Sequence, residues 1–511
     1  MDISAVLFPV FTLLGGLAFF LYGMNTMSDG LEKLAGGKLE KTLKKMTSNK
    51  IGSMGLGAGI TIAMQSSSAL TVMLVGLVNS GIMALEQTVG VIFGSNIGTT
   101  LTAWILSLAG IEGGEGGGIG NFLISLLKPA NFSPIVALIG IILIMMSKSE
   151  RKKDIGSILI GFAVLMFGME LMGDAVKPLA ADENIEAFKN FISIFNNPFV
   201  GVAVGAIFTG IIQSSAASVG ILQTLAIETG AITYNMVLPI VMGQNIGTCV
   251  TALISSIGVT KNAKRVAMVH ILFNIIGTII VLLIYYPIYL LVAPVREYLN
   301  ANANAQGIAL CHTIFNVFTT FLLLPFTNLL VYLARKFIPD AKEEEKQSFI
   351  DERLLNTPTF ALAECDNYTV RMAKIAKETF INATNLARKA EDGKGFDEKL
   401  AEQVRLDEKS LDKYEDKLGS FLVKISGKEL SESDSREASK LLHTIGDFER
   451  IGDHAVNLLG VAKEIADKKI SFSEQAKEEL RTLLPHWKKL FQLPLQPLKK
   501  TILSLQEMLS L

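Results

Sequence analysis

Three blocks of residues occur twice in this 511-residue chain, in the same order and at nearly the same spacing. GLAFFLYGMNTMSDGL (16–31) aligns with GFAVLMFGMELMGDAV (161–176), GAGITIAMQSS (57–67) with GAIFTGIIQSS (205–215), and GSNIGTTLTA (94–103) with GQNIGTCVTA (243–252). The offsets are 145, 148 and 149 residues. An internal repeat restricts the fold more than any single segment does, because both copies must adopt the same local structure.

The repeats are oily. Half of all residues are hydrophobic and the mean hydropathy is positive, as in few soluble proteins. Charge is concentrated elsewhere: residues 340–511 hold 28 of the 47 Lys+Arg and 32 of the 48 Asp+Glu. The pattern predicts a membrane part followed by a water-soluble one. Runs near 4–24, 155–173, 266–293 and 307–334 approach the roughly 20 apolar residues a spanning helix needs, with a shorter run at 133–147. The apolar sections 51–109 and 198–258 are each interrupted at two places by polar residues. With no basic n-region or small-residue cleavage site, the N-terminal run reads as a retained span. Three cysteines, two in apolar segments, argue against a disulfide framework. No basic block interleaved with aromatics points to nucleic acid.

Lysine and arginine set orientation. Six lysines in 33–50, KSERKK at 148–153, KNAKR at 261–265 and Arg335-Lys336 mark the cytoplasmic side. The glycine-rich 110–121, the acidic 174–190 and 294–306 fall outside. On this reading the first span of the first copy runs inward and its partner runs outward. The copies are therefore predicted to be inverted, an architecture of many secondary transporters.

Broken helices leave unpaired backbone groups at membrane depth, tolerated only where they face protein or a watery cavity. Helix N-termini suit an oxyanion and C-terminal carbonyls suit sodium. Serine hydroxyls and glutamine amides add ligands without a fixed charge. A lone Ser-Ser pair in a membrane helix more often permits close packing, but QSS occurring twice, each followed by NIGT, points to a site.

At these motifs residues 1–335 resemble the type II sodium–phosphate cotransporter family, whose repeats carry paired QSS motifs. The resemblance implies sodium-coupled symport of inorganic phosphate, with Gln65, Ser66, Ser67 and Ser68 of one copy and Gln213, Ser214 and Ser215 of the other lining the substrate and sodium site. Asn96, Thr99, Asn245 and Thr248 would border it. Ala216 stands where the first copy has Ser68, so the site is not perfectly symmetric. HILFN (270–274) and HTIFN (312–316) each place His and Asn four apart on one helix face. They read either as a polar seam facing the transport core or as interhelical hydrogen bonding. No catalytic constellation or phosphate-binding loop motif accompanies the spans, so an enzyme is not expected.

The charged third predicts amphipathic helices near 358–390, 397–427, 431–466 and 473–511. It resembles the PhoU family, whose E-x-x-x-D motifs hold metal clusters. Glu408 with Asp412 and Glu449 with Asp453 match, and the resemblance implies a divalent or ferric metal there. The expected fold is all-α: a polytopic transporter with two inverted repeats containing broken, re-entrant helices, then a cytoplasmic helical bundle. Its parts are repeat 1 at about 1–147, repeat 2 at about 155–258, extra spans at 266–334, a linker at 340–356 and a PhoU-like domain at 357–511. It would sit in the cytoplasmic (inner) membrane, with phosphate, sodium and lipid as partners and phosphate-signalling proteins as candidates for contact. The alternatives are a phosphate exporter of the same fold and a phosphate-sensing receptor that does not transport.

Overall fold

The computed structural model describes residues 3–35, 49–79, 81, 83–110, 128–181, 184–340, 351–356, 358–391, 395–428, 430, 432–470, 472–479 and 482. Two compact units divide the chain, Met1–Asn356 and Thr357–Leu511. In the first, α1 (Ile3–Ala35) precedes the half-helices α2 (Lys50–Met64) and α3 (Ser67–Asn79), then α4 (Leu85–Ser107) and α5 (Pro129–Met146). The pattern recurs as α6 (Glu150–Val176), an amphipathic α7 (Ile185–Ile192), half-helices α8 (Pro198–Ile212) and α9 (Ser215–Thr229), and α10 (Tyr234–Ser255). Helices α11 (Lys261–Leu291), α12 (Ala293–Leu299), α13 (Ala305–Leu323) and α14 (Thr327–Phe337) follow. Among the described residues, six helical stretches are long and apolar enough to cross a bilayer, beginning at Leu7, Leu85, Glu150, Tyr234, Lys261 and Ala305.

The glycines of the first repeated block show how the copies are related. A Cβ on Gly23 would lie 2.3 Å from the Leu165 nitrogen, and one on Gly168 would lie 2.4 Å from the Phe20 nitrogen. Likewise Gly16 meets Gly168 and Met172, while Gly161 meets Gly23 and Met27. Shifting each contact by the repeat offset reproduces the other, so α1 and α6 pack antiparallel through one self-complementary surface. Close backbone approach of this kind is how membrane helices gain packing energy when lipid offers no hydrophobic contrast. The hairpins obey the same rule. Gly94 of α4 would place a Cβ 1.8 Å from the Met54 carbonyl of α2, and Gly243 of α10 would place one 2.1 Å from the Val202 carbonyl of α8.

A further pair of helices also meets through a glycine. A Cβ on Gly277 of α11 would lie 2.3 Å from Cγ2 of Thr319 of α13. These residues are 42 apart, the same offset that relates His270 to His312. The two helices that carry the HILFN and HTIFN motifs thus meet at equivalent positions.

Helices α15 (Pro358–Glu391), α16 (Glu398–Ser426) and α17 (Glu432–Lys468) make the second unit. They share a core that includes Leu386, Val404 and Leu459. The fourth helix expected at 473–511 lies largely outside the described residues. Within the segment read as a linker, Glu352–Asn356 forms a single 3-10 turn belonging to the first unit.

Candidate functional site

Each QSS motif is a break with the same backbone. α2 ends at Gln65 in the left-handed region, φ 50°, and α8 ends at Gln213, φ 58°. Among the described residues only these and Lys469 are non-glycine positions with positive φ. The following serine starts the second half-helix. Ser66 Oγ accepts from the Ala69 amide at 3.1 Å, and Ser214 Oγ accepts from the Ala217 amide at 3.2 Å. Serine is among the best N-caps because its short side chain reaches back to the first turn. The first serine of each motif therefore spends its acceptor on the helix and keeps its hydroxyl proton. The free N–H groups of the second half-helix remain directed out of the break.

Side chains around the two breaks differ. Gln65 is buried; its Nε2 donates to the Ile62 carbonyl at 2.7 Å and its Oε1 accepts from Thr102 Oγ1 at 2.8 Å. Gln213 is exposed. Ser67 and Ser215, the first residues of α3 and α9, are buried, whereas Ser66, Ser214 and Ser68 are half-buried. Thr61 donates to Ser95 of α4 at 2.9 Å, but its equivalent Thr209 donates to Ser218 of α9 at 2.9 Å. The residue equivalent to Ser95 is Gln244, whose Oε1 is buried without a hydrogen-bond partner among the described residues.

The NIGT motifs lie within continuous helices. α4 and α10 run without interruption through Asn96–Thr99 and Asn245–Thr248. Glycines there admit α2 and α8, and the threonines return their hydroxyls to the helix: Thr99 to Ser95 O at 3.0 Å, Thr248 to Gln244 O at 2.9 Å. Asn245 Nδ2 donates to Val241 O, while Asn96 Nδ2 is buried without a partner among the described residues. Helix α3 packs on α10, and α9 packs on α4, so each hairpin meets the motif-bearing helix of the other copy.

The His–Asn pairs add a second layer. Asn274 Nδ2 donates to Cys249 Sγ of α10 at 3.2 Å, one interhelical bond of the kind expected. Among the described residues, both ring nitrogens of His312 and the side-chain oxygens of Asn274, Asn316, Thr278, Thr319 and Thr320 are buried without a hydrogen-bond partner. Together with the Asn274–Cys249 bond, these side chains make a buried polar layer on α11 and α13. Thr102, Gln244 and the three threonines escape a reading of the sequence. A single hydroxyl in an apolar helix carries no motif, although the shared 42-residue offset was available.

In the second unit, carboxylate oxygens of Glu408, Asp412 and Asp453 lie within 4.8 Å of one another. Burial, then Asp412 and Asp453, hold the Glu408 carboxyl above its ordinary range. Burial, followed by Asp453 and Asp412, does the same for Glu449. Two residues from α16 and one from α17 thus offer hard oxygen donors to one cation, with Glu449 electrostatically coupled to them.

A family model described as Na+/Pi-cotransporter matches residues 19–174 and again 165–286, the two copies in turn. The chain belongs to that family. A PhoU domain model matches residues 369–461. Among curated relatives, "Putative inorganic phosphate export protein YjbB" of Escherichia coli (strain K12) is 26% identical over 479 residues, covering 92% of this chain and 81% of the relative. "Uncharacterized protein YqeW" of Bacillus subtilis (strain 168) is 29% identical over 266 residues, 52% of this chain and 79% of the relative. "Sodium-dependent phosphate transport protein 2A" of Rattus norvegicus is 33% identical over 110 residues, 21% of this chain and 17% of the relative. No solved structure matches.

Proposed function

We propose that this protein carries inorganic phosphate across the inner membrane coupled to sodium, using one site shared by the two broken hairpins. The observation that carries the reading is the identical break in both inverted copies, a left-handed glutamine followed by a serine N-cap. Phosphate would be held by the N-terminal amides of α3 and α9, with hydroxyls of Ser66, Ser67, Ser68, Ser214 and Ser215 donating to its oxygens. Sodium would take neutral oxygens of the same region, with Asn96, Thr99, Asn245 and Thr248 at its border. Gln65 positions the first break through Thr102. Residues 1–335 would be the transport part, with 357–511 a cytoplasmic regulator whose Glu408, Asp412, Glu449 and Asp453 bind a divalent or ferric metal.

The similarity to an export protein favours outward flux as the second reading, since the same site runs in either direction under the gradients imposed. Labelled phosphate flux in proteoliposomes, measured both ways with and without a sodium gradient, tests both. Sodium-driven uptake supports symport; flux indifferent to sodium overturns the coupling; no flux in either direction overturns transport.

A further inference from the structure

Residues 351–356 are not spaced away from the first unit but seated in it. Asp351 is 4% exposed and Leu354 is fully buried. Asn79, the last residue of α3, donates from Nδ2 to Asp351 Oδ2 at 2.8 Å, and its Oδ1 accepts from the Thr260 amide at 2.9 Å. Arg353 pairs with Asp351 at 2.9 Å and donates to the Ile257 carbonyl at 2.8 Å. Leu354 lies over Gly76 of α3, where an added Cβ would stand 3.3 Å from its Cδ2. One short segment therefore joins the end of the first broken hairpin to the turn between α10 and α11. These belong to opposite copies, and by the lysine pattern both lie on the cytoplasmic side.

Alternating access in inverted repeats needs one group of helices to move against the other. A segment bonded to both sides opposes that movement on its own face. We infer that residues 351–356 are a strap that holds the cytoplasmic side of the membrane unit closed, and that its release speeds phosphate exchange. The rate effect rests on the proposed function; the docking does not.

The test uses the full chain. A Leu354→Cys variant in inside-out vesicles, treated with a membrane-impermeant maleimide, should label no faster than the parent with its three native thiols. Adding Asp351→Ala, or the milder Arg353→Ala should the first fail to fold, should raise labelling about fivefold or more, as expected for loss of a charge-assisted hydrogen bond. The same substitutions without the cysteine should raise the initial rate of phosphate exchange by a similar factor. Free labelling of Leu354→Cys in the otherwise native chain overturns the strap. Release with an unchanged or slower rate overturns its control of exchange. Should the parent move no phosphate, the transport reading is what fails, and labelling alone then decides docking: a protected thiol supports it and a free one refutes it.

Discussion

Gln65 holds an unfavourable backbone in return for a side chain glycine lacks. A left-handed L-residue costs about 1–2 kcal/mol, and Gln65 sits there with φ 50°. Its amide makes two bonds, a part-buried one to Ile62 O and a buried one from Thr102 Oγ1. Gln65→Ala keeps the strain and leaves both partners unpaired, a loss of about 1–3 kcal/mol. Gln65→Gly loses the same bonds but recovers about 1 kcal/mol of strain, so it should be the more stable of the two. Thr102→Val alone should also destabilise. The double variant Gln65→Ala/Thr102→Val leaves no orphaned Thr102 hydroxyl and should be less damaged than the sum of its parts, with a coupling of about 1 kcal/mol. Thermal unfolding in detergent reads the cycle, and phosphate flux reads the site. If the shifts simply add, Thr102 does not hold the break. If both Gln65 variants transport with parental kinetics, the glutamine shapes the chain and takes no part in binding.

Gly94→Ala should prevent assembly, because its Cβ would fall 1.8 Å from a backbone carbonyl, whereas Gly55→Ala, on the same helix pair and with nothing within 4 Å, should be neutral; yield of monodisperse protein separates them. In the bundle, Glu408 and Glu449 have raised carboxyl pKa values, so the native state binds protons more tightly than the unfolded one. Their contribution to stability falls as pH rises through those values. A divalent cation at neutral pH should offset that loss and raise the unfolding midpoint, with the effect fading in acid and absent in Glu408→Gln/Glu449→Gln; equal midpoints with and without cation in the parent would count against a metal site. Deleting 345–511 removes the strap while deleting 357–511 retains it, so phosphate exchange should be faster in the first truncation than in the second. Equal rates would contradict the assignment.

The doubled QSS motif made the breaks legible, because four polar residues in an oily segment can only be a defect or a site, and a defect does not recur at a fixed offset. The NIGT motifs were legible as a repeat, but their local structure was not. Asparagine, glycine and threonine read as helix breakers, yet here glycine serves interhelical contact and the threonine hydroxyls back-bond within the helix. The HILFN and HTIFN pair was visible, but its offset of 42 differs from the 145–149 of the main blocks. That the two helices touch at equivalent positions emerges only from the Gly277–Thr319 contact. The segment DERLLN has no apolar period, and nothing in its composition separates a docked turn from a solvated linker.

The self-complementary seam between α1 and α6 carries a thermodynamic consequence. Were the whole unit perfectly two-fold, turning the molecule over would exchange its outward-open and inward-open states, and the two would be equal in free energy. The glycine seam, counted identically from either half, cannot favour one over the other. Any resting preference must therefore reside in what the halves do not share: Ala216 in place of Ser68, Gln244 in place of Ser95, the amphipathic α7, and the turn at 351–356. Substitutions at the shared glycines should change whether the protein assembles, while substitutions at these unmatched positions should change which way it faces at rest.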